Sequence, residues 1–370
     1  MLTDTASPDT RRARNAALNL EESRAGALVL RSKPRYVLVE LTQGCNLQCP
    51  MCRDRAIGYR EREMDRDVLA HIAEELFPTA EMVDIRGWGE SLLVSDVDDI
   101  VREVAAHGAR CRVVTNLSFR KPATLDLLTE VGAMVDVSLD AAQQGPLGEA
   151  RKGAKLPLIT ENLRRLVDGF ARNGKPADSL RIVATVQPVT VPELAGLVRY
   201  AAEVGVPQIV LNAVTVAEGD PTGLHGREVE VDRAVDEARE VAAELGVDLF
   251  AGTSLGHCVP ALKNSSTCIH PWSYLTVGYD GSVGYCDHLV GPIMQHYSLG
   301  HAGQASVEDI WNGPRWQELR RWHADPHRAD QRAFHGCFRC YQHRNVDFED
   351  VFEPALERYR LGIEPVTGTR

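Results

Sequence analysis

LTQGCNLQCPMCR, Leu41 to Arg53, places Cys45, Cys49 and Cys52 within eight positions, directly after the apolar run YVLVEL (Tyr36 to Leu41). The spacing is C-x3-C-x2-C. Nine cysteines scattered at random over 370 residues would yield roughly 0.005 such triplets, so the pattern demands a chemical reason. Closed structural zinc takes four ligands, usually from paired C-x2-C or C/H elements, and no fourth ligand lies near these three in the sequence. Three thiolates can hold three corners of a cubane [4Fe-4S] cluster and leave the fourth iron open to a substrate or a second cofactor; zinc and a redox dithiol are the alternatives.

Outward from this stretch the chain becomes regular. YVLVEL, MVDIRG (Met82 to Gly87), CRVVTN (Cys111 to Asn116), MVDVSLD (Met134 to Asp140), LRIVATV (Leu180 to Val186) and QIVLNAV (Gln208 to Val214) read as buried strands. Amphipathic helix patterns separate them at Asp67 to Leu76, Asp98 to His107, Ala123 to Val131, Thr160 to Ala171, with Thr160 as its N-cap, and Pro192 to Val204. Six βα units in a row imply parallel strands with right-handed crossovers, an α/β fold of the partial (β/α)6 TIM-barrel type. A seventh pattern follows, a helix from Val229 to Leu245 and then VDLFAG. The ligand of such a barrel sits at the carboxyl ends of the strands, where the cysteine triplet lies.

Past Gly252 the βα period stops and Gly, His, Cys and aromatics rise. The expected organisation is a loosely attached polar, helical extension (1–33), the barrel (34–252), a small cysteine-bearing domain (253–348) and a tail (349–370). The 52 acidic against 41 basic residues, a net charge of -11, argue against a nucleic-acid binder that neutralises phosphates. No run of eighteen apolar residues and no apolar segment at the N-terminus support a membrane span or secretory signal, so a cytoplasmic protein is expected.

The triplet resembles that of the radical S-adenosylmethionine (AdoMet) superfamily. The resemblance implies that the open iron is chelated by AdoMet, whose reductive cleavage yields methionine and a 5'-deoxyadenosyl radical. It also implies a flavodoxin- or ferredoxin-type electron donor. Met51 stands where the family usually has an aromatic residue against the adenine; a thioether makes soft contacts with a ring as well. RGWGE resembles the glycine-glycine-glutamate motif, with Gly87 and Gly89 allowing close backbone approach to the ligand and Glu90 receiving the AdoMet amino group. Asn116 stands where the family often has Thr-Asn-Gly. Ser138 and Asp140 are candidates for the ribose hydroxyls, and Arg151 for the AdoMet carboxylate. For these the plain alternatives are turn or cap residues and a solvated arginine.

A second set comprises Cys268, Cys286, Cys337 and Cys340. The segment from Cys268 to Cys286, with Gly281, resembles the hairpin that opens SPASM and twitch extensions, and Tyr297 to Arg320 resembles their linking segment, with His301 in place of the usual asparagine. Four thiolates suffice for one closed auxiliary [4Fe-4S] cluster, the twitch arrangement; a four-cysteine zinc ribbon uses the same spacing. Cys111 reads as a core thiol. Cys258 is a candidate hydrogen-atom donor, and Asp287 and His288 are candidates for substrate contact, His288 also as a base.

The family resemblance further implies hydrogen-atom abstraction from an unactivated carbon. Aminocyclitol- and sugar-modifying members of antibiotic pathways, 2-deoxy-scyllo-inosamine dehydrogenase among them, are similar in layout. The expected reaction is oxidation of a carbohydrate-like secondary alcohol to a ketone, with the auxiliary cluster accepting the electron. Redox-neutral decarboxylation, epimerisation or dehydration of a similar sugar, peptide maturation and a zinc-bound scaffold without activity are the alternatives.

Overall fold

The computed structural model describes residues 8–52, 62–214, 221–251, 268–287, 290, 297–324, 334 and 337. Apolar, β-branched runs form seven parallel strands: β1 (Tyr36–Val39), β2 (Met82–Asp84), β3 (Arg110–Thr115), β4 (Met134–Ser138), β5 (Leu180–Val186), β6 (Gln208–Ala213) and β7 (Asp248–Ala251). They follow one another across the sheet in chain order. The barrel therefore has one parallel strand more than the six βα units expected, because the VDLFAG run pairs with β6.

On the other side of β1 the same sheet continues through β8 (Tyr274–Val277), β9 (Ser282–Gly284) and β10 (Gly300–His301). β8 runs parallel to β1, and β9 and β10 are antiparallel to their neighbours. The described part of the cysteine-bearing region, from Cys268 onward, is thus built onto the barrel edge beside the first strand. That edge is where the cysteine triplet begins.

Helices α2 (Arg66–Leu76), α3 (Val97–Ala106), α4 (Pro122–Val131), α5 (Gln144–Ala150), α6 (Leu156–Arg172), α7 (Leu194–Val204) and α8 (Glu228–Leu245) connect the strands. Asp65 caps α2, its carboxylate accepting from the Asp67 and Val68 amides. Thr160, expected as an N-cap, lies inside α6: the helix begins a turn earlier, with Pro157 in its first turn, and the Thr160 hydroxyl donates back to the Leu156 carbonyl at 2.9 Å.

Side chains alternate across the strands. Val37, Val39, Val83, Val113, Val135, Val137, Ile182 and Leu211 face the helices and form the main core. Tyr36, Leu38, Met82, Met134, Val210 and Tyr274 face the lumen in a second buried cluster that contains nothing from α2 to α8. Barrel interiors are normally filled by branched apolar residues. Here a belt of charge crosses the lumen: Arg112 Nε donates to Asp136 at 3.0 Å, Arg181 Nη2 to the same carboxylate at 2.8 Å, and Arg112 Nη1 lies 3.5 Å from Asp84. The two arginines hold Asp136 well below the usual carboxylate range despite its burial.

The N-terminal extension, expected as loosely attached, is a fastened helix, α1 (Pro8–Arg24). Asn15 exchanges hydrogen bonds with the Lys33 backbone at 2.8 and 3.1 Å, Asn19 donates to Ser32 Oγ at 2.9 Å, and the Glu22 carboxylate accepts from the Arg31 and Ser32 amides. Polar residues that read as solvated thus satisfy the backbone of the segment leading into β1. Among the described residues no helix is long and apolar enough to cross a membrane.

Candidate functional site

The loop after β1 carries Cys45 and Cys49, both half-buried, and the exposed Cys52. Its backbone is laced to the turn after β2: the Gly89 amide donates to Thr42 O at 3.2 Å and the Glu90 amide to Gly44 O at 2.7 Å. A Cβ on Gly89 would lie 2.4 Å from Gly44 O and 2.6 Å from Thr42 O. One on Gly87 would lie 2.3 Å from Glu40 Cγ. The two glycines make room for the cysteine loop and for a buried glutamate.

That glutamate, Glu40, was hidden in the sequence as one polar residue in an apolar run. Its carboxylate accepts from the Trp88 amide at 3.0 Å, Gln43 Nε2 at 3.2 Å and the Tyr279 amide at 3.4 Å. Burial pushes its pKa up, and these donors oppose the shift. Glu40 joins the cysteine loop, the glycine turn and the β8–β9 hairpin. Asn46 is a second residue the spacing did not single out: it donates to Ser118 O at 2.8 Å and accepts from Asn116 Nδ2 at 2.9 Å.

Asn116 also points Nδ2 at Cys45 Sγ, 3.7 Å away, and the Leu47 amide approaches the same sulfur at 3.4 Å. The three thiols feel one another electrostatically. Burial pushes Cys45 up to about 12 and raises Cys49, while Arg151 opposes the rise at Cys49. As thiolates they require a cationic partner, as a metal cluster is.

Glu90 is 2% exposed; Oε2 accepts from the Asn116 amide at 2.7 Å, and Oε1 is buried with no hydrogen-bond partner among the described residues. Burial raises its pKa to about 7, the Asn116 amide opposing. A buried carboxylate oxygen without a donor suits an incoming ammonium group. The residues present therefore fit AdoMet and its cluster.

Asp140, expected at ribose hydroxyls, is turned on Arg151 instead. It accepts from Arg151 Nη2 and the Thr185 amide at 2.8 and 2.9 Å, with Arg151 Nε 2.8 Å from its other oxygen. Arg151 is accordingly buried rather than solvated, and its charge reaches Cys49. Ser138 ends β4, half-buried on the lumen face beside Val183; Met51 is half-buried next to Cys52.

Of the second set, Cys268 is buried and Cys286 and Cys337 are half-buried. Cys268 precedes the short helix α9 (His270–Ser273), and Cys286 follows β9. Burial raises the pKa of Tyr285, and Cys337 and Cys286 are near enough to raise it further. The ligating atoms of His270, Cys286 and Asp287 fall within 4.8 Å of one another. Gly281 turns the hairpin at φ +84, with the His301 ring packed where a Cβ would stand. Cys111 is a buried core thiol on β3. Cys258, His288 and Cys340 lie outside the described residues.

Two family models match: the radical SAM superfamily over residues 39–174, and SPASM, an iron–sulfur cluster-binding domain, over 268–341. The chain is 24% identical over 304 residues to a tungsten-containing aldehyde ferredoxin oxidoreductase cofactor-modifying protein of Pyrococcus furiosus, covering 77% of this chain and 83% of that one. It is 26% identical over 326 residues to a PqqA peptide cyclase of a Methylobacterium species, covering 81% and 79%. Its fold is similar to that of SuiB from Streptococcus suis bound to S-adenosylmethionine, at a TM-score of 0.63 and 16% identity over 84% of this chain and 72% of that one. The two matched regions carry the two cysteine sets, and the chain is a radical SAM enzyme, with a radical SAM domain that binds a [4Fe-4S] cluster and AdoMet and a SPASM domain for auxiliary iron–sulfur binding.

Proposed function

We propose that this enzyme oxidises a secondary alcohol of a carbohydrate-like molecule, an aminocyclitol, sugar or sugar nucleoside, to a ketone. Cys45, Cys49 and Cys52 hold the AdoMet cluster, and Cys268, Cys286, Cys337 and Cys340 the auxiliary [4Fe-4S] cluster. Gly87, Gly89, Glu90, Asn116, Ser138, Arg151 and Met51 surround AdoMet, with Asp140 orienting Arg151. The enzyme works in the cytoplasm with a flavodoxin- or ferredoxin-type donor.

The observation that carries this reading is the lumen wall at the carboxyl ends of the strands. Arg86, Trp88, Ser138, Thr185 and Asn212 occupy lumen-facing positions there, and all are half-buried. An indole, a guanidinium, two hydroxyls and an amide on one wall suit a polyol, whose C–H faces pack on a ring and whose hydroxyls need donors and acceptors. Oxidation removes from the carbinol carbon one hydrogen atom, from its hydroxyl one proton, and from the resulting ketyl one electron. When bound, AdoMet and its cluster supply the hydrogen-atom acceptor, and the auxiliary cluster supplies the electron acceptor. The chain supplies the polar wall that orients the alcohol and, in Asp287, a hydrogen-bond acceptor beside Cys286.

A peptide substrate is the second reading, favoured by the similarity to the PqqA peptide cyclase and to SuiB, which has also been solved with its precursor peptide. Anaerobic reactions with aminocyclitols, sugars, sugar nucleosides and peptides, followed by mass spectrometry, separate the readings. Production of 5'-deoxyadenosine with a product two hydrogens lighter supports the dehydrogenase. Loss of carbon dioxide, or solvent deuterium on carbon that disappears in Cys258→Ser, replaces it with redox-neutral chemistry, and turnover of peptides alone replaces the substrate class. Stoichiometric zinc in place of iron after reconstitution would remove both readings.

A further inference from the structure

The charged belt in the lumen does not stop at the barrel strands. Asp84, fully buried, accepts from the Tyr36 hydroxyl and lies 2.8 Å from Arg86 Nε. Arg86 is the residue just before Gly87, and its other arm, Nη2, donates to Asp287 at 2.8 Å, next to Cys286. Tyr36 stacks on Tyr274 with ring centroids 3.9 Å apart, and His270 stacks on the far face of the same run at 4.2 Å from Tyr274, two residues after Cys268. One lumen network rooted in β1 and β2 therefore reaches the neighbours of two auxiliary cysteines. At the outer end Arg86 and Asp287 keep 23% and 25% of their side-chain surface exposed, while Asp84 keeps none.

We propose that Arg86 is a positioning residue for the auxiliary cluster, fixing from the AdoMet-motif strand the loop that carries Cys286. The guanidinium is suited to this because its two ends are engaged on different carboxylates in a rigid plane; an ammonium is a single point charge on a flexible stem. Asp84 anchors one end where water is absent. The other end then holds Asp287, and with it the backbone following β9. A fixed positive charge there also favours the more negative, reduced state of a cluster bound by Cys286.

The inference rests on the assignment of Cys286 to the auxiliary cluster, and its test needs no substrate. Arg86→Gln, Arg86→Lys and the exposed control Arg102→Gln are compared with the parent in two measurements. In the iron-free chain, hydrogen exchange of amides 283–287 speeds up about tenfold in Arg86→Gln, reflecting one lost charge-assisted hydrogen bond, and stays unchanged in the control. In the reconstituted protein, an EPR-monitored titration finds the auxiliary midpoint potential lowered in Arg86→Gln and the AdoMet-cluster potential unmoved. Arg86→Lys keeps the potential near that of the parent and still exchanges faster. Parent-like exchange in both variants overturns the clamp, as does an equal shift of both clusters. If Arg86→Gln does not fold, Arg86→Lys decides alone, by faster exchange or none. Iron for one cluster only would defeat the Cys286 assignment, and the exchange measurement still judges the clamp.

Discussion

The two cysteine regions are held in opposite ways. The AdoMet-side loop spans eight positions between Cys45 and Cys52 and is fastened by backbone: Thr42 and Gly44 carbonyls meet the Gly89 and Glu90 amides, and glycines let the two segments touch. The auxiliary side has its cysteines Cys268, Cys286 and Cys337 on segments far apart in the chain, and the neighbours of the first two are fastened by side chains that reach out of the barrel, Tyr36 to Tyr274 and Arg86 to Asp287. A site made by local spacing depends on room for the backbone. One assembled across the fold depends on buried charge staying paired.

Breaking the buried charge produces the largest effect. Asp84→Asn leaves Arg86 and Arg112 short of a carboxylate in the lumen, and the unfolding free energy falls by about 3 to 5 kcal/mol in a denaturant titration. Auxiliary iron is lost before the AdoMet-side iron. The reverse preference identifies the belt as a support of the first site and dissolves the contrast.

Gly89→Ala strikes the other region. A methyl group 2.4 Å from a carbonyl oxygen forces the two backbones apart, and stability drops by about 2 to 3 kcal/mol, with iron missing first from the AdoMet side. Retention of that iron at parent levels contradicts the packing role given to this glycine.

A pH series sharpens the contrast through Glu90. Its pKa is raised from 4.5 to about 7 in the folded, metal-free chain, so between these values the native state keeps a proton that the unfolded state has released. Stability contributed by this group is present at acid pH and lost as pH rises from about 4.5 through about 7, by up to roughly 3 kcal/mol at the linkage rate of one pKa unit per 1.36 kcal/mol. Glu90→Gln flattens that slope. Thermal unfolding at stepped pH checks it; an unchanged slope in the variant assigns the dependence elsewhere. Asp136, held low by two arginines, acts in the opposite sense, adding stability above the ordinary carboxylate pKa that is lost only on acidification.

The smallest effect belongs to neither region. Arg102 and Asp99 pair at 3.1 Å on the surface, 58% and 82% exposed, and Arg102→Gln changes stability by less than about 0.5 kcal/mol with both cysteine regions intact. A larger loss in the same unfolding assay would show that surface charge matters here as much as buried charge.

The sequence by itself determined the parallel strands and the place of the first cysteine set, because both are local signals. Runs buried on two faces recur at the βα period, and three thiols two to three residues apart travel together wherever the chain goes. It also singled out Glu90 and Arg151, since each sits in or near a motif. Glu40, Asn46 and Arg86 were not distinguishable there: a lone polar residue has the same spelling whether it is solvated or buried, and their partners lie 48, 70 and 201 residues away. Only the tertiary structure decided that Asp140 serves Arg151, that the motif glycines accommodate protein, and that the auxiliary region continues the barrel sheet. Each of those outcomes depends on what the other end of the chain places opposite a residue, and hydrogen bonds and ion pairs in a buried lumen are formed only once the strands have closed around it.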